Sequence, residues 1–239
     1  MLRSDKSDTS EAHARETFAG SDSWARIDDI IRKLESEYGP RSFVSRGRAI
    51  DVLVETVLSQ NTSDVNSHRV YESLLARFGS LESVAAAPVE EIERAISSAG
   101  LSRIKSVRIH ELLARLLQEL GSLDLSFLRE LDVEEARLYL TSLRGVGLKT
   151  ASCVLLFSLG MPAMPVDTHV HRVARRLGLI GPRVSADAAH KELESMVLPE
   201  DRYRFHVLLI EHGRRVCLAR NPRCKACVLN EGCPSAFKL

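Results

Sequence analysis

Apolar residues along this chain recur at intervals of three and four. Ile27, Ile30, Ile31 and Leu34 make one such stripe, and Ile50, Leu53, Val54, Val57 and Leu58 make a second. This is the spacing of one face of an α-helix. Tyr71, Leu74, Leu75 and Phe78 keep the same rhythm, which Gly79 ends. Pro88 suits the first turn of a helix that carries Val89, Ile92 and Ile96. The leucine-rich stretch over 104–120 predicts one long helix, and Asp132 with Glu135 predicts a capping box opening a helix towards Leu143. Later stripes fall at Val170, Val173 and Leu177 and over 203–210. No segment alternates with the two-residue period of a half-buried strand, so the expected fold class is all-α. Breaks in the pattern fall near 38–45 and 160–165.

One segment departs from amphipathic patterning. SLRGVGLKTASCVLLFSLG, residues 142–160, passes from an amphipathic helix through a turn with two glycines into a helix apolar on every side. Such a helix is expected to be buried all round. Yet a lysine, Lys149, stands at its mouth.

Composition narrows the class. Of the 239 residues, 44% are hydrophobic and 27% charged, the balance of a soluble globular protein with a sizeable core. No run of apolar residues is long enough to cross a membrane. Residues 1–21 read as a flexible polar tail without the apolar stretch of a signal peptide. A reducing cytoplasm is the expected compartment. The net charge of +1 says little, but its distribution says more. Residues 1–22 hold 3 basic and 5 acidic side chains, whereas residues 162–239 hold 13 basic and 8 acidic ones. HGRRVCLARNPRCKAC concentrates Arg214, Arg215, Arg220, Arg223 and Lys225, a pattern that suits either a polyanion or a solvated face.

Four of the five cysteines lie close together: Cys217, Cys224, Cys227 and Cys233, separated by six, two and five residues. Disulfides are disfavoured in a reducing compartment, so a metal is expected. Zinc sites usually combine two closely spaced cysteine pairs, whereas one pair flanked by solitary cysteines can wrap a cubane iron–sulfur cluster. Both remain open on spacing alone. Cys153, inside the apolar helix, reads as a small core residue.

In the turn, Gly145 and Gly147 permit backbone conformations closed to other residues. The free N–H groups that open the next helix can bind a phosphate oxygen. Such a hairpin grips a nucleic-acid backbone without reading its sequence, although a plain helical corner has the same glycines. Lys149 sits where a helix's positive end and partial desolvation favour the neutral amine. A neutral amine is a nucleophile able to form a Schiff base; a lysine merely reaching out to phosphate is the simpler alternative. Eighteen residues on, Asp167 occupies an N-cap position before the stripe that begins at Val170. Its carboxylate either caps that helix or faces Lys149.

Taken together, LRGVGLKTASCVLL, MPVDTHVHRVARRLGL and the four spaced cysteines resemble the helix-hairpin-helix DNA glycosylases, specifically the endonuclease III branch. The likeness extends to LSQNTSDVN at 58–66 and GLSRIKSVRI at 100–109. It implies two helical lobes with a DNA-binding cleft between them. One is a six-helix barrel carrying the helix-hairpin-helix over 46–161; the other, over 22–45 and 162–239, carries a [4Fe-4S] cluster on Cys217, Cys224, Cys227 and Cys233. The family's catalytic lysine falls on Lys149 and its catalytic aspartate on Asp167. The implied activity is a bifunctional DNA glycosylase and abasic-site lyase of base excision repair. It would excise oxidised pyrimidines through a Lys149 Schiff base and nick the strand by β-elimination. The implied partner is double-stranded DNA with damaged bases or abasic sites, bound by a monomer.

The family fills the space left by a flipped base with barrel side chains. That position falls on Asn61, with Gln60 just before it, where relatives usually carry glutamine. Leu101 is a candidate second wedge or else a core leucine. Arg144 stands where relatives usually have proline; it could add a phosphate contact but loses the stiffness of a proline. Gly145, Val146 and Gly147 of the hairpin and Arg220, Arg223 and Lys225 of the cysteine loop are expected to meet phosphates. Two other readings share much of the pattern. An adenine-mismatch-type monofunctional glycosylase has the cysteines but usually lacks the lysine, and a non-catalytic iron–sulfur DNA-binding protein would keep the scaffold alone.

Overall fold

The structure is a computed structural model that describes residues 21–60 and 64–238. In chain order its α-helices are α1 (Ser21–Tyr38), α2 (Ala49–Ser59), α3 (Asp64–Phe78), α4 (Leu81–Ala86), α5 (Val89–Ala95), α6 (Ser102–Leu120), α7 (Val133–Ser142), α8 (Leu148–Phe157), α9 (Thr168–Arg176), α10 (Ala186–Met196) and α11 (Arg202–Arg215). Short 3₁₀ turns interrupt them, and no strand occurs among the described residues. None of these helices is long and apolar enough to cross a membrane. The all-α fold follows from the three-to-four spacing of apolar residues. Asn61 and residues 1–20 of the expected polar tail lie outside the described residues.

The chain divides into two compact units. Val44–Met161 form one, and the described residues of Met1–Phe43 and Pro162–Leu239 form the other. In the first, α8 is the central element. Its residues Thr150 to Phe157 are all buried, and it packs against α2 and α7. α2 meets it with Ile50, Leu53, Val54, Val57 and Leu58, of which Leu53, Val54 and Leu58 are fully enclosed. Each such side chain contributes about 1.5–3 kcal/mol through removal from water. α6 packs against α4 and α5. The ends of these helices are locally encoded. Asp132 and Glu135 make the full capping box of α7, and the Ser80 hydroxyl accepts the Ser83 amide to open α4. Pro88 occupies the N-cap of α5, one residue before the helical position expected of it.

In the second unit, Ile27, Ile31 and Leu34 of α1 share a core with Val170 and Val173 of α9, Leu193 of α10 and Phe205, Leu208 and Leu209 of α11. α11 packs against both α9 and α1. The Ser185 hydroxyl caps α10. Cys227 and Cys233 lie against the edge of this core.

Candidate nucleic-acid and catalytic site

The hairpin turn follows from its glycines in unequal measure. After α7 ends, the Val146 amide donates to the Leu143 carbonyl at 3.1 Å, closing a tight turn. Gly145 holds φ at +85°, a left-handed conformation that disfavours side chains. A Cβ there would also lie 3.0 Å from Cδ of Arg108. Gly147 differs from expectation: it is the N-cap of α8 with φ −94°, which any residue adopts. Space around it is open, so what its missing side chain leaves is room for another molecule to approach. Val146 is buried beneath the turn. Lys149 is the second residue of α8 and half-buried. It therefore lies among the outward N–H groups at the positive end of that helix.

Other predicted contact residues of this unit have defined partners. The Arg144 guanidinium is paired with Glu111 at 2.8 Å on the surface. Gln60 is tied inward: its Nε2 donates to the Gly145 carbonyl at 3.2 Å, and Arg108 Nη1 donates to its Oε1 at 3.0 Å. Leu101 is 55% exposed, which removes the core alternative. It has φ +54° at the N-cap of α6, an uncommon backbone state for a branched apolar residue.

Asp167 belongs to the other unit. Its Oδ1 accepts the Val170 amide at 2.7 Å and so caps α9. The loop before it is held by side chains that sequence patterning did not single out. Glu194 accepts the Met164 amide at 2.8 Å. His190 Nδ1 meets the Met164 carbonyl and His206 Nδ1 the Pro165 carbonyl, each at 2.8 Å. Both histidines are nearly inaccessible. With Nδ1–H of each ring donating to a main-chain carbonyl, they act as loop ties. Lone histidines on apolar helix faces gave no pattern by which to find them.

The four cysteines are free thiols that line one apolar cavity, together with His212, Arg176 and Val173. Arg176 Nη1 donates to Cys217 Sγ at 3.4 Å, and Cys233 Sγ lies 3.3 Å from the Arg176 carbonyl. Burial pushes the Cys227 thiol up, and the neighbouring Cys217, Cys233 and Cys224 add to that rise. His212 Nε2 lies 3.4 Å from Cys227 Sγ, while its Nδ1 accepts the Tyr38 hydroxyl at 2.9 Å. Burial holds the His212 imidazole down at about 4, so at neutral pH it is uncharged and can offer Nε2–H to the sulfur. Among the described residues no three His, Cys, Asp or Glu side chains converge on a single-ion site. The sulfurs are arranged round a cavity instead. Arg220, Arg223 and Lys225 are exposed on the loop that carries the cysteines.

Comparison with known proteins gives this geometry a family. Residues 54–199 match the model of the HhH-GPD superfamily base excision DNA repair proteins. Endonuclease III of Thermotoga maritima is 35% identical over 208 residues, which are 87% of this chain and 92% of that protein. A protein of Arabidopsis thaliana is 38% identical over 192 residues, and the chain spans 66% of its length. The solved structure of a trapped endonuclease III–DNA covalent intermediate superimposes with a TM-score of 0.77 at 30% identity, covering 90% of this chain and 97% of that one. By the matched family model, the identity to endonuclease III and the superposition, the chain belongs to the endonuclease III branch of the HhH-GPD superfamily of base excision DNA repair proteins.

Proposed function

We propose that the chain is a bifunctional DNA glycosylase and abasic-site lyase that acts on oxidised pyrimidines in duplex DNA. The observation that carries this reading is the place of Lys149: second in α8, half-buried, at the open hairpin turn, and in no ion pair among the described residues. A covalent enzyme–DNA intermediate is named for the related endonuclease III, and an amine at this place is the group that would form one here. The damaged nucleotide is flipped out of the stack, at a lower cost where its pairing is already impaired. Asp167 stabilises the positive charge that develops on the sugar as the base departs. The Lys149 amine attacks C1′, and the base leaves with the glycosidic electron pair and a proton. The nitrogen lone pair then opens the sugar ring: the C1′–O4′ bond breaks, O4′ takes up a proton, and C1′ is left as a protonated imine. That imine acidifies C2′; the C2′–H electron pair becomes a C2′–C3′ double bond as the proton is lost, and the 3′ phosphate leaves with the C3′–O electron pair, nicking the strand.

Gly145, Val146 and Gly147 present main chain to a phosphate, with Arg144 beside them. Leu101, with Gln60 and Asn61, belongs to the surface that fills the vacated stack. Arg220, Arg223 and Lys225 add phosphate contacts, so affinity falls steeply with salt. The donor set of Cys217, Cys224, Cys227 and Cys233 fits a [4Fe-4S] cluster better than one zinc ion, because the thiols surround a cavity without converging on a point. Such a cluster would serve as an internal tether that shapes the basic loop, since glycosidic cleavage needs no electron. The protein would work as a monomer in the cytoplasm.

Borohydride trapping on duplexes containing thymine glycol or an abasic site tests this reading. A covalent adduct that disappears in Lys149→Ala supports it. Tight DNA binding with no adduct and no base release on any lesion would favour a binding protein instead. Iron and sulfide assays on anaerobically purified protein test the cluster; stoichiometric zinc would defeat it.

A further inference from the structure

Helix α6 carries, near its start, two cations that are directed at turns and not at solvent. Lys105 is 1% exposed and among the largest fully buried side chains. Its Nζ donates to the Leu58 carbonyl at 2.7 Å and to the Ala99 carbonyl at 2.9 Å. Arg108, one helical turn on, holds the Gln60 carboxamide, which in turn holds the Gly145 carbonyl. Three segments distant in sequence therefore end on one helix: the last turn of α2, the 97–101 turn, and the hairpin turn at 143–147.

A buried ammonium is costly unless acceptors meet it closely. A methionine would fill the same volume without that cost, so what the lysine adds is a fixed geometry. The Leu58 carbonyl belongs to the end of α2, where helical partners run out. The Ala99 carbonyl precedes two residues of positive φ, Gly100 at +63° and Leu101 at +54°. For Leu101 this conformation persists only where surroundings enforce it. Here the Ile104 and Lys105 amides both donate to the Leu101 carbonyl at 3.0 Å, and the Lys105 ammonium fixes the residue behind. The outcome is a projecting Leu101 with Ile104, 48% exposed, beside it. At the hairpin, the close fit of Gly145 on Arg108 seats the turn against the same helix.

We propose that Lys105 and the Arg108–Gln60 pair are positioning residues that brace these three turns into one rigid surface, so that the hairpin's hold on the backbone and the insertion of Leu101 keep a fixed register. The functional half of this inference rests on the proposed glycosylase reading; the bracing itself does not.

Hydrogen–deuterium exchange on the full-length free protein tests the bracing. In Gln60→Ala, amides at 143–147 are expected to exchange at least about tenfold faster while those within α7 hold their rate. Arg108→Met should have the same effect, and the double variant no more than either single one, since both act through one hydrogen-bonded chain. Lys105→Met should loosen 97–101 in the same way. If that variant does not fold, the two half-buried positions carry the test alone. In the functional arm, Arg108→Met should release a lesion base from a paired duplex about tenfold more slowly, because a displaced wedge misorients the flipped nucleotide. A lesion with no opposite base should be spared most of the loss. Unaltered exchange at all three turns, or additive effects at Gln60 and Arg108, would overturn the proposal. A wild-type protein that releases no base, with the exchange pattern as expected, would leave the bracing standing and strike the function.

Discussion

Asp167 spends one carboxylate oxygen on the main chain: its Oδ1 accepts the Val170 amide at 2.7 Å and caps α9. The residue assigned to charge stabilisation thus also fixes the start of a helix, and the two roles are separable by substitution. Asparagine caps as well as aspartate. Asp167→Asn should therefore leave the melting temperature unchanged within error while base release slows by about 10²–10³-fold, the usual worth of a placed carboxylate. Asp167→Ala should lose the same activity and also about 1 kcal/mol of stability. Single-turnover base release and thermal unfolding, measured on the same preparations, check both. Equal destabilisation in the two variants would show that the negative charge, and not the cap geometry, holds the helix.

Lys149 gives the converse case. A cation at the N-terminal end of a helix opposes the helix dipole. Lys149→Gln should therefore keep or slightly raise the unfolding temperature, by the equivalent of about 0.3–1 kcal/mol at most, while abolishing the borohydride-trapped adduct. Affinity for an uncleavable abasic analogue, followed by fluorescence anisotropy, should fall only a few-fold, about the worth of one phosphate contact. A large loss of binding with parallel loss of adduct would make Lys149 an anchor for phosphate and not a nucleophile.

What could be read from the sequence was what is encoded locally. The capping box of Asp132 and Glu135, the cap at Asp167 and the long helix α6 all depend on residues within a few positions of each other, and each formed as expected. The uniformly apolar face of α8 announced its burial for the same reason. Lys105 is the opposite case. A lysine in RIKSVRIH suggests a solvated helix face, and nothing nearby in sequence says that the carbonyls of Leu58 and Ala99 converge on it. His190 and His206 were missed likewise, because their partners are main-chain atoms of a loop 26 and 41 residues earlier. At the hairpin, the two glycines look alike in sequence, yet only Gly145 takes the left-handed conformation. Which of a pair turns the chain is set by how the turn seats on Arg108.

The pairing of Arg144 with Glu111 makes a prediction about affinity. The pair is exposed, with the Arg144 side chain 75% accessible, so its effect on stability is small, about 0–1 kcal/mol. Its effect on DNA binding is larger if the guanidinium must be drawn from a carboxylate to a phosphate. Glu111→Gln removes the competitor. Affinity for undamaged duplex should rise about two- to fivefold at low salt, and that gain should shrink as ionic strength rises. Arg144→Ala should cancel the gain when combined with Glu111→Gln. Anisotropy titrations at several salt concentrations measure all three, and a gain that survives loss of Arg144 would assign it to the local field of Glu111 alone.

Lys105 carries a distinct pH signature. Desolvation lowers its affinity for protons below the ordinary 10.5 of a lysine. Below the folded-state value both folded and unfolded chains are protonated, and the cost of burying the ammonium is constant. Between that value and 10.5 the unfolded chain holds the proton and the folded chain has released it. Since the unfolded state then binds more protons, stability rises with pH across this window. The neutral amine still has two N–H donors, enough for the carbonyls of Leu58 and Ala99. Lys105→Met removes this titration and leaves every other group in place. Urea unfolding of the two proteins through the alkaline range up to 10.5 should therefore show their stability difference moving in favour of the lysine protein. Taking the difference cancels the tyrosines and other alkaline groups common to both. A difference that stays flat over this range would mean that the folded protein leaves the amine as basic as in water, with the acceptors around it offsetting the desolvation ascribed to its burial.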